Sequence, residues 1–366
     1  MSDFPGRLAQ LPPSSFAKLA SLLDPVAPGA TPISLAVGDP QGEVPAFVIE
    51  AIARQADRFG VYPPIDGTPE WREAATGWLK RRFALPGADP ALLPLNGTRE
   101  GLFLAPFIVT PEEKAGARPI ILLPNPSISA TPPRRLLAER NRYSCAPTRQ
   151  TDFFPILPLC PKRSWSAPPP PICARRRIRK GPAPAENTGE RRSRSRTNTI
   201  SRCSPTNATP IFIATNRRSG LVAGDAKLMA KFRALRNYAG PQVPLPLIAA
   251  AAAWSDEIHV AANRARYVER FALAERLLGD RAGFRLPEGG FFLWLEVGDG
   301  ARTALKLWRK GGVRVLPGAT MGRESDLGKT RTNPGFPYVR VALVNDLSTI
   351  MKALERMVEI LDSEST

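Results

Sequence analysis

One stretch of this 366-residue chain is composed unlike the rest, and it limits what the whole can build. Between Ser127 and Arg218 stand 19 Lys and Arg against four acids, Glu139, Asp152, Glu186 and Glu190. The stretch therefore carries +15 of the formal net charge of +18, while the other 274 residues hold 32 bases against 29 acids. It also contains all four cysteines (Cys145, Cys160, Cys173, Cys203), 14 of the 40 prolines and only two glycines, Gly181 and Gly189. A run such as Ala183 to Thr199, rich in Arg, Pro and Ser, has too little apolar surface to offset the entropy of ordering it. The expectation is a disordered or irregular insert in an otherwise near-neutral globular chain.

Outside the insert the chain reads as alternating helices and strands. Val44, Phe47, Val48, Ala51 and Ile52 recur at helical spacing over Glu43 to Phe59. Thr68 and Pro69 open a second helix as N-cap and first-turn proline. Asn96-Gly97-Thr98-Arg99-Glu100 leads into an apolar helix over Gly101 to Ile108. Ile120 to Leu123 is wholly apolar and predicts a buried strand of a parallel sheet. Further on, Ser219 to Asp225 reads as a strand followed by a helix over Ala226 to Tyr238, and a long helix is expected from Asp256 to Leu278. Strands over Gly290 to Val297, Val313 to Leu316 and Tyr338 to Val344 enclose a helix over Ala301 to Lys310, and Asp346 caps a last helix. This alternation predicts an α/β sheet with a smaller α+β unit at the C-terminal end.

Several classes of function are disfavoured. A single histidine, His259, argues against a multi-His metal site or a His-based triad. The cysteine spacings fit neither a zinc ribbon nor a disulfide framework. The opening MSDFPGRLAQLPPSSF lacks a basic region followed by an apolar run, and the longest apolar stretch, near Leu247 to Trp254, is too short to span a bilayer. A cytoplasmic location is the expectation.

Two places carry chemistry on physical grounds. Backbone amides at the helix start around Gly97, Thr98 and Arg99, with the Thr98 hydroxyl beside them, form a ready anion site; an ordinary capped helix is the plain alternative. Arg340 lies inside the apolar strand YVRVALV. A guanidinium there needs an anionic partner, either a structural carboxylate or a substrate carboxylate.

Taken in order, LAVGDP (35–40), FGVYPPIDGTPEWREA (59–74), LNGTREGLF (95–103), LLPNP (122–126), RSGLVAGD (218–225), PEGGFFLW (287–294), VRVLPG (313–318) and YVRVALV (338–344) resemble the class I/II pyridoxal-phosphate-dependent aminotransferases. Within that family the likeness is to succinyl-diaminopimelate and aspartate-type enzymes. The resemblance implies a fold type I α/β architecture, a large domain with a mostly parallel sheet plus a small α+β domain, its central part here disrupted. It divides the chain into 1–40 (N-terminal segment of the small domain), 41–126 (first part of the cofactor-binding large domain), 127–217 (insert), 218–255 (remainder of the large domain) and 256–366 (C-terminal small domain). It implies amino-group transfer between an L-amino acid and a 2-oxo acid, with pyridoxal 5′-phosphate as cofactor. Carried over by residue, Gly38 and Arg340 would hold the substrate α-carboxylate. Gly97, Thr98, Arg99 and Arg218 would bind the cofactor phosphate. Tyr62 would reach the phosphate of a neighbouring subunit, implying a homodimer. Tyr62 as plain packing and Gly38 as a turn are the bland alternatives.

The same resemblance places four features between Pro126 and Arg218: the Asn of a C-S-P-x-N-P-x-G loop, the Asp that pairs with the pyridine nitrogen, a Tyr three residues later, and the Schiff-base Lys of an S-x-S-K run. None stands there, and Pro210 occupies the position eight residues before Arg218 where that Lys belongs. A change of reading frame would account for the loss. If each codon takes the third base of one codon and two of the next, Pro171 to Gly181 can be re-read as Y-L-C-S-P-A-N-P-Q-G and Pro205 to Asn216 as D-E-C-Y-T-D-I-Y-R-D-E. Pro126 to Ser129 and Thr151 to Lys162 yield F-Y-Q and G-F-L-P-D-x-x-A-L-P-E in the same frame. The re-read D-E-C-Y lies too near Arg218 to leave room for the lysine segment, so a deletion beside Arg218 is expected as well. No catalytic residue is assigned, and a catalytically defective chain with weak or no cofactor binding is the expectation. A reading of a different class makes the Arg-rich run 175–202 a non-specific nucleic-acid-binding segment.

Overall fold

The computed structural model describes residues 13–83, 91–113, 120–126, 141–145, 172–173, 201–202, 212–216, 219–239, 242–287, 289–324 and 333–363. The N-terminal half contains α1 (Ser15–Leu23), β1 (Ile33–Ser34), α2 (Ala46–Ala53), α3 (Pro69–Phe83), β2 (Ala91–Leu95), α4 (Thr98–Val109) and β3 (Ile120–Pro124). Inside 127–217 the described elements are the strands β4 (Asn141–Cys145), β5 (Ile172–Cys173), β6 (Ser201–Arg202) and β7 (Phe212–Asn216). The chain continues through β8 (Ser219–Gly224), α5 (Ala226–Ala239), α6 (Leu245–Ala249), α7 (Ala252–Ser255) and α8 (Ile258–Leu278). It ends with β9 (Phe292–Glu296), α9 (Gly300–Gly311), β10 (Val313–Arg314), β11 (Leu316–Pro317), β12 (Tyr338–Ala342) and α10 (Leu347–Asp362). Ala183 to Thr199 lies outside the described residues.

β2, β8 and β7 form one sheet with β8 in the middle, pairing Leu93 with Val222 on one side and Ile213 with Val222 on the other. β8 runs antiparallel to both neighbours, the departure here from a parallel pattern, whereas β3 and β4 pair in parallel from Ile120 with Asn141 to Pro124 with Cys145. Both faces of the β2–β8 pair are covered. Leu92, Leu221 and Ala223 pack with Trp71, Ala75 and Leu79 of α3 and with Trp254 of α7. Leu93, Leu95 and Val222 pack on the opposite side with Leu104 and Val109 of α4 and Met229 and Phe232 of α5. Successive strand residues point to opposite faces, so a strand covered on both must be apolar throughout, as LLPL and GLVA are. Pro94 is tolerated because β2 lies at an end of the described sheet.

The second sheet has the order β11–β12–β9, antiparallel throughout. Leu293 and Leu295 of β9 and Val339 and Val341 of β12 share one core with Phe271, Ala274 and Leu278 of α8, Leu307 of α9 and Ile350, Leu354 and Met357 of α10. The N-terminal segment belongs to this body by contact. Ile33 pairs with Val313, Leu35 enters the same core, and Leu19 and Leu23 pack with Trp308 and Leu316. The Trp308 Nε1–H donates to Val26 O at 2.7 Å, and Arg314 forms an ion pair with Asp24.

Local signals hold well. The Trp71 N–H donates to Thr68 Oγ1 at 3.3 Å, and Asp346 caps α10 by accepting the Thr349 N–H at 2.8 Å. Three elements differ from the sequence expectation. The helix expected over Glu43 to Phe59 stops at Ala53, and a 3-10 turn follows over Ala56–Gly60, because the apolar stripe ends at Ile52 and nothing beyond it has a face to bury. The strand expected over Val313 to Leu316 splits at Val315, its halves joining β1 and β12 respectively. The helix expected from Gly101 starts one turn earlier, at Thr98. Among the described residues no helix is long and apolar enough to cross a membrane, and no group of His, Cys, Asp and Glu could hold a metal ion.

Candidate active site

The turn between β2 and α4 has a geometry that could cradle an anion. Gly97 takes φ 138° and ψ 164°, a backbone state that side chains other than hydrogen resist, and a Cβ there would meet nothing within 4 Å. The turn therefore presents bare backbone to open space. Among the described residues no side chain caps α4, and while the Glu100 N–H donates to Gly97 O at 3.2 Å, the Thr98 and Arg99 amides are left for a ligand or solvent. Thr98 is half-buried and Arg99 exposed at the same helix end. Gly220 of β8 packs so closely on the turn that a Cβ on it would come 2.9 Å from Gly97 C.

Behind the cradle lies a buried charge pair. Arg236 of α5 is fully buried; its Nε–H donates to Glu100 Oε1 at 2.8 Å and its Nη1–H to Pro94 O at 2.7 Å. The other Glu100 oxygen accepts the Asn96 N–H at 2.8 Å.

Arg340 and Gly38 meet at one aromatic ring. The Arg340 guanidinium carbon sits 4.2 Å from the centroid of Phe292, and Nη2–H donates to Ala36 O at 2.6 Å. A Cβ on Gly38 would lie 2.2 Å from the same Phe292 ring and 2.9 Å from Phe291, so glycine is required by close approach and not by a turn alone. The Arg340 side chain is not inside the core, as the apolar run around it suggests. Val339 and Val341 take the core face of β12, and the alternation leaves Arg340 half-buried on the other face, across from Trp294. Trp294 and Tyr338 stack on that face with centroids 5.4 Å apart.

The remaining candidates stand apart. Tyr62 is 99% exposed and packs against nothing among the described residues. Arg218 lies outside the described residues, as do Pro210 and most of 127–217. His259 is accounted for structurally: its Nδ1 is 2.6 Å from Asp256 Oδ2 at the start of α8. Three residues that the sequence reading passed over matter here. Arg236 continues the buried stripe Met229–Phe232–Arg236 of α5, and that spacing is the signal that could have exposed it. Glu100 occupies the third helical position, where a carboxylate reaches back to a free N–H. Asn125 is buried and its side-chain amide both donates to Arg323 O at 2.7 Å and accepts the Arg323 N–H at 2.8 Å, tying the end of β3 to the segment after β11.

Residues 30–129 match the aminotransferase class I and II family. Over 350 residues the chain is 29% identical to 4-dedimethylamino-4-oxo-anhydrotetracycline transaminase OxyQ of Streptomyces rimosus, covering 89% of this chain and 92% of that protein. A crystal structure of an aminotransferase from Neisseria meningitidis superposes with a TM-score of 0.78 at 27% identity, over 96% of this chain and 98% of that one. Residues 30–129 thus carry the class I/II aminotransferase match, and the whole chain shares that family's fold. It is also 30% identical over 168 residues to LL-diaminopimelate aminotransferase 2 of Nostoc, a match covering 44% of this chain and 41% of that protein.

The chain therefore has the fold type I architecture, and the family it matches uses pyridoxal phosphate to exchange an amino group between an amino acid and a 2-oxo acid. Two ends of that cofactor can be tested against the residues present. The phosphate end fits, because the Gly97 turn offers uncapped amides beside Thr98 and no side chain blocks it. For the imine end, the sequence contains no lysine from Gly181 to Ala226, and Lys227 is an exposed residue of α5 whose backbone N–H is held by Asp225.

Proposed function

We propose that this aminotransferase chain keeps the anion-binding scaffold of its family without the transamination chemistry. One observation carries the reading: the turn before α4 keeps the shape of an anion cradle, while residues Gly181 to Arg218, where the family resemblance places the imine-forming lysine, hold no lysine. When bound, the cofactor supplies an electron sink through its ring. This chain's residues would do the holding. The amides around Gly97 and Arg99 with the Thr98 hydroxyl, joined by Arg218, take the phosphate. Arg340 takes a substrate α-carboxylate beside the Gly38 backbone. No residue here would move the α-proton, the task the family gives to the lysine. The donor class we favour is a diaminopimelate- or aspartate-type amino acid.

The reading has further parts. The segment 127–217 is proposed to be frameshifted, with a deletion at its end, so that its basic charge has no selected partner. The segments 1–40 and 256–366 would form the small domain, and 41–126 with 218–255 the large one. Tyr62, fully exposed beside the half-exposed Phe59 and Val61, supports a homodimer in which it reaches the partner's phosphate. Purified protein is expected to convert neither L-aspartate nor LL-diaminopimelate, with 2-oxoglutarate and added pyridoxal phosphate, above the protein-free rate. Sustained glutamate formation would overturn the reading. The gene's codons over Ile172 to Gly181 test the frame directly, and codons incompatible with Y-L-C-S-P-A-N-P-Q-G would remove it.

A further inference from the structure

We propose that Glu100 and Arg236 act together as the positioning device of the α4 anion cradle, an inference that rests on reading the Gly97–Arg99 turn as the phosphate site. A carboxylate in the first turn of a helix competes with any anion bound there. Glu100 is such a carboxylate, yet its charge is matched by the fully buried Arg236 guanidinium at 2.8 Å. The neutralised carboxylate is then free to serve geometry. Its second oxygen takes the Asn96 N–H and so fixes the residue that precedes the turn. Arg236 in turn holds Pro94 O, so the pair grips the turn's approach strand at two alternate residues, 94 and 96. Gly97 follows this clamp at φ 138°, and its direction, and that of the Thr98 and Arg99 amides after it, depends on where the clamp leaves the chain. The buried Arg236 Nη2 has no hydrogen-bond partner among the described residues. Neither residue reaches the ligand in this account; both act through the backbone.

The test compares pyridoxine 5′-phosphate with pyridoxine, which lack the aldehyde and cannot react with lysines. Binding to the full-length chain is measured by equilibrium dialysis in about 0.5 M NaCl, where loosely attracted anions are screened. The readout is the ratio of the two dissociation constants, alongside the midpoint of thermal unfolding. Glu100→Leu combined with Arg236→Met removes both charges together, which leaves stability nearly unchanged. Its preference for the phosphorylated probe is expected to fall by about tenfold, the scale of a lost charge-assisted contact. Glu100→Gln keeps an acceptor for the Asn96 N–H but strands the Arg236 charge. It is expected to unfold at a lower temperature yet hold its preference within about twofold, since the clamp on the turn is kept. A merely structural pair gives the reverse order, with preference following stability, and that result overturns the inference. So does a double variant that keeps its preference. If the double variant does not fold, Glu100→Gln decides alone: loss of preference there overturns the proposal, and retention at lowered stability supports it. Absence of any preference in the unaltered chain removes the phosphate-site reading itself, and the inference with it.

Discussion

β8 and β12 are both central strands with antiparallel partners on either side, yet they bury their residues in different ways. In β8 the consecutive residues Leu221, Val222 and Ala223 are all buried, because helices cover both faces. In β12 burial alternates over its first four residues, with Val339 and Val341 in the core and Tyr338 and Arg340 half-buried opposite it, before Ala342 ends the strand buried. A strand packed on both faces can only be scaffold. A strand with one uncovered face can present a guanidinium and aromatic rings to a ligand. The two arginines follow the same division: Arg236 lies within the doubly covered layer and needs Glu100, whereas Arg340 lies on the uncovered face over Phe292.

The strongest challenge to this contrast is to unpair the buried arginine. Glu100→Leu alone should cost about 3–5 kcal/mol, because it leaves a desolvated charge, and Arg236→Met should recover most of that loss in the double variant. Chemical denaturation of the three proteins checks it; additive losses would mean that the two residues do not act as a pair. Next come adjacent substitutions. Leu221→Asn and Val222→Asn should each cost about 3 kcal/mol although they point to opposite faces. On β12, Val339→Asn should cost as much while Arg340→Gln stays within about 1 kcal/mol. Equal losses at 339 and 340 would show that the site face is as closed as the core.

A smaller effect probes the α10 cap of the C-terminal body. The Asp346 carboxyl is held well below its ordinary range by the hydroxyls of Ser348 and Thr349 and by the Thr349 N–H. Its native affinity for a proton is thus lower than in the unfolded chain, so its stabilising contribution is complete above about pH 5 and fades as pH falls below about 4. Asp346→Ala should cost about 1 kcal/mol at neutral pH and progressively less in acid. Unfolding curves at pH 7 and pH 3 measure the difference, and a cost independent of pH would show that the charge is irrelevant. Least of all, Tyr62→Ala should change stability by no more than about 0.5 kcal/mol, since its ring packs on nothing among the described residues. Sedimentation of that variant reports on the dimer; an unchanged assembly and an unchanged preference for the phosphorylated probe would leave Tyr62 without the proposed role.

Much of the fold was legible because helix and strand periods are local. The caps at Thr68 and Asp346, and the existence of most elements on either side of 127–217, follow from residues within a few positions of one another. The boundaries that failed did so where tertiary pairing intervenes, as at Val315, where one apolar run serves two different sheets. At the candidate site, the turn at Gly97 and the helix start at Thr98 were readable from a glycine preceding a helix. The reason for Gly38 was not, because it depends on Phe292, more than two hundred residues away.

The amino-acid sequence by itself determined the family likeness, the concentration of charge between Ser127 and Arg218, and the absence of lysine from Gly181 to Ala226. These are properties of residue identity and order, which folding does not alter. Only the tertiary structure decided that Arg340 faces away from the core and that Glu100 and Arg236, 136 positions apart, form one buried pair. Periodicity says which residues share a face of an element. What covers that face is settled by long-range packing, and there the scaffold and the site part company.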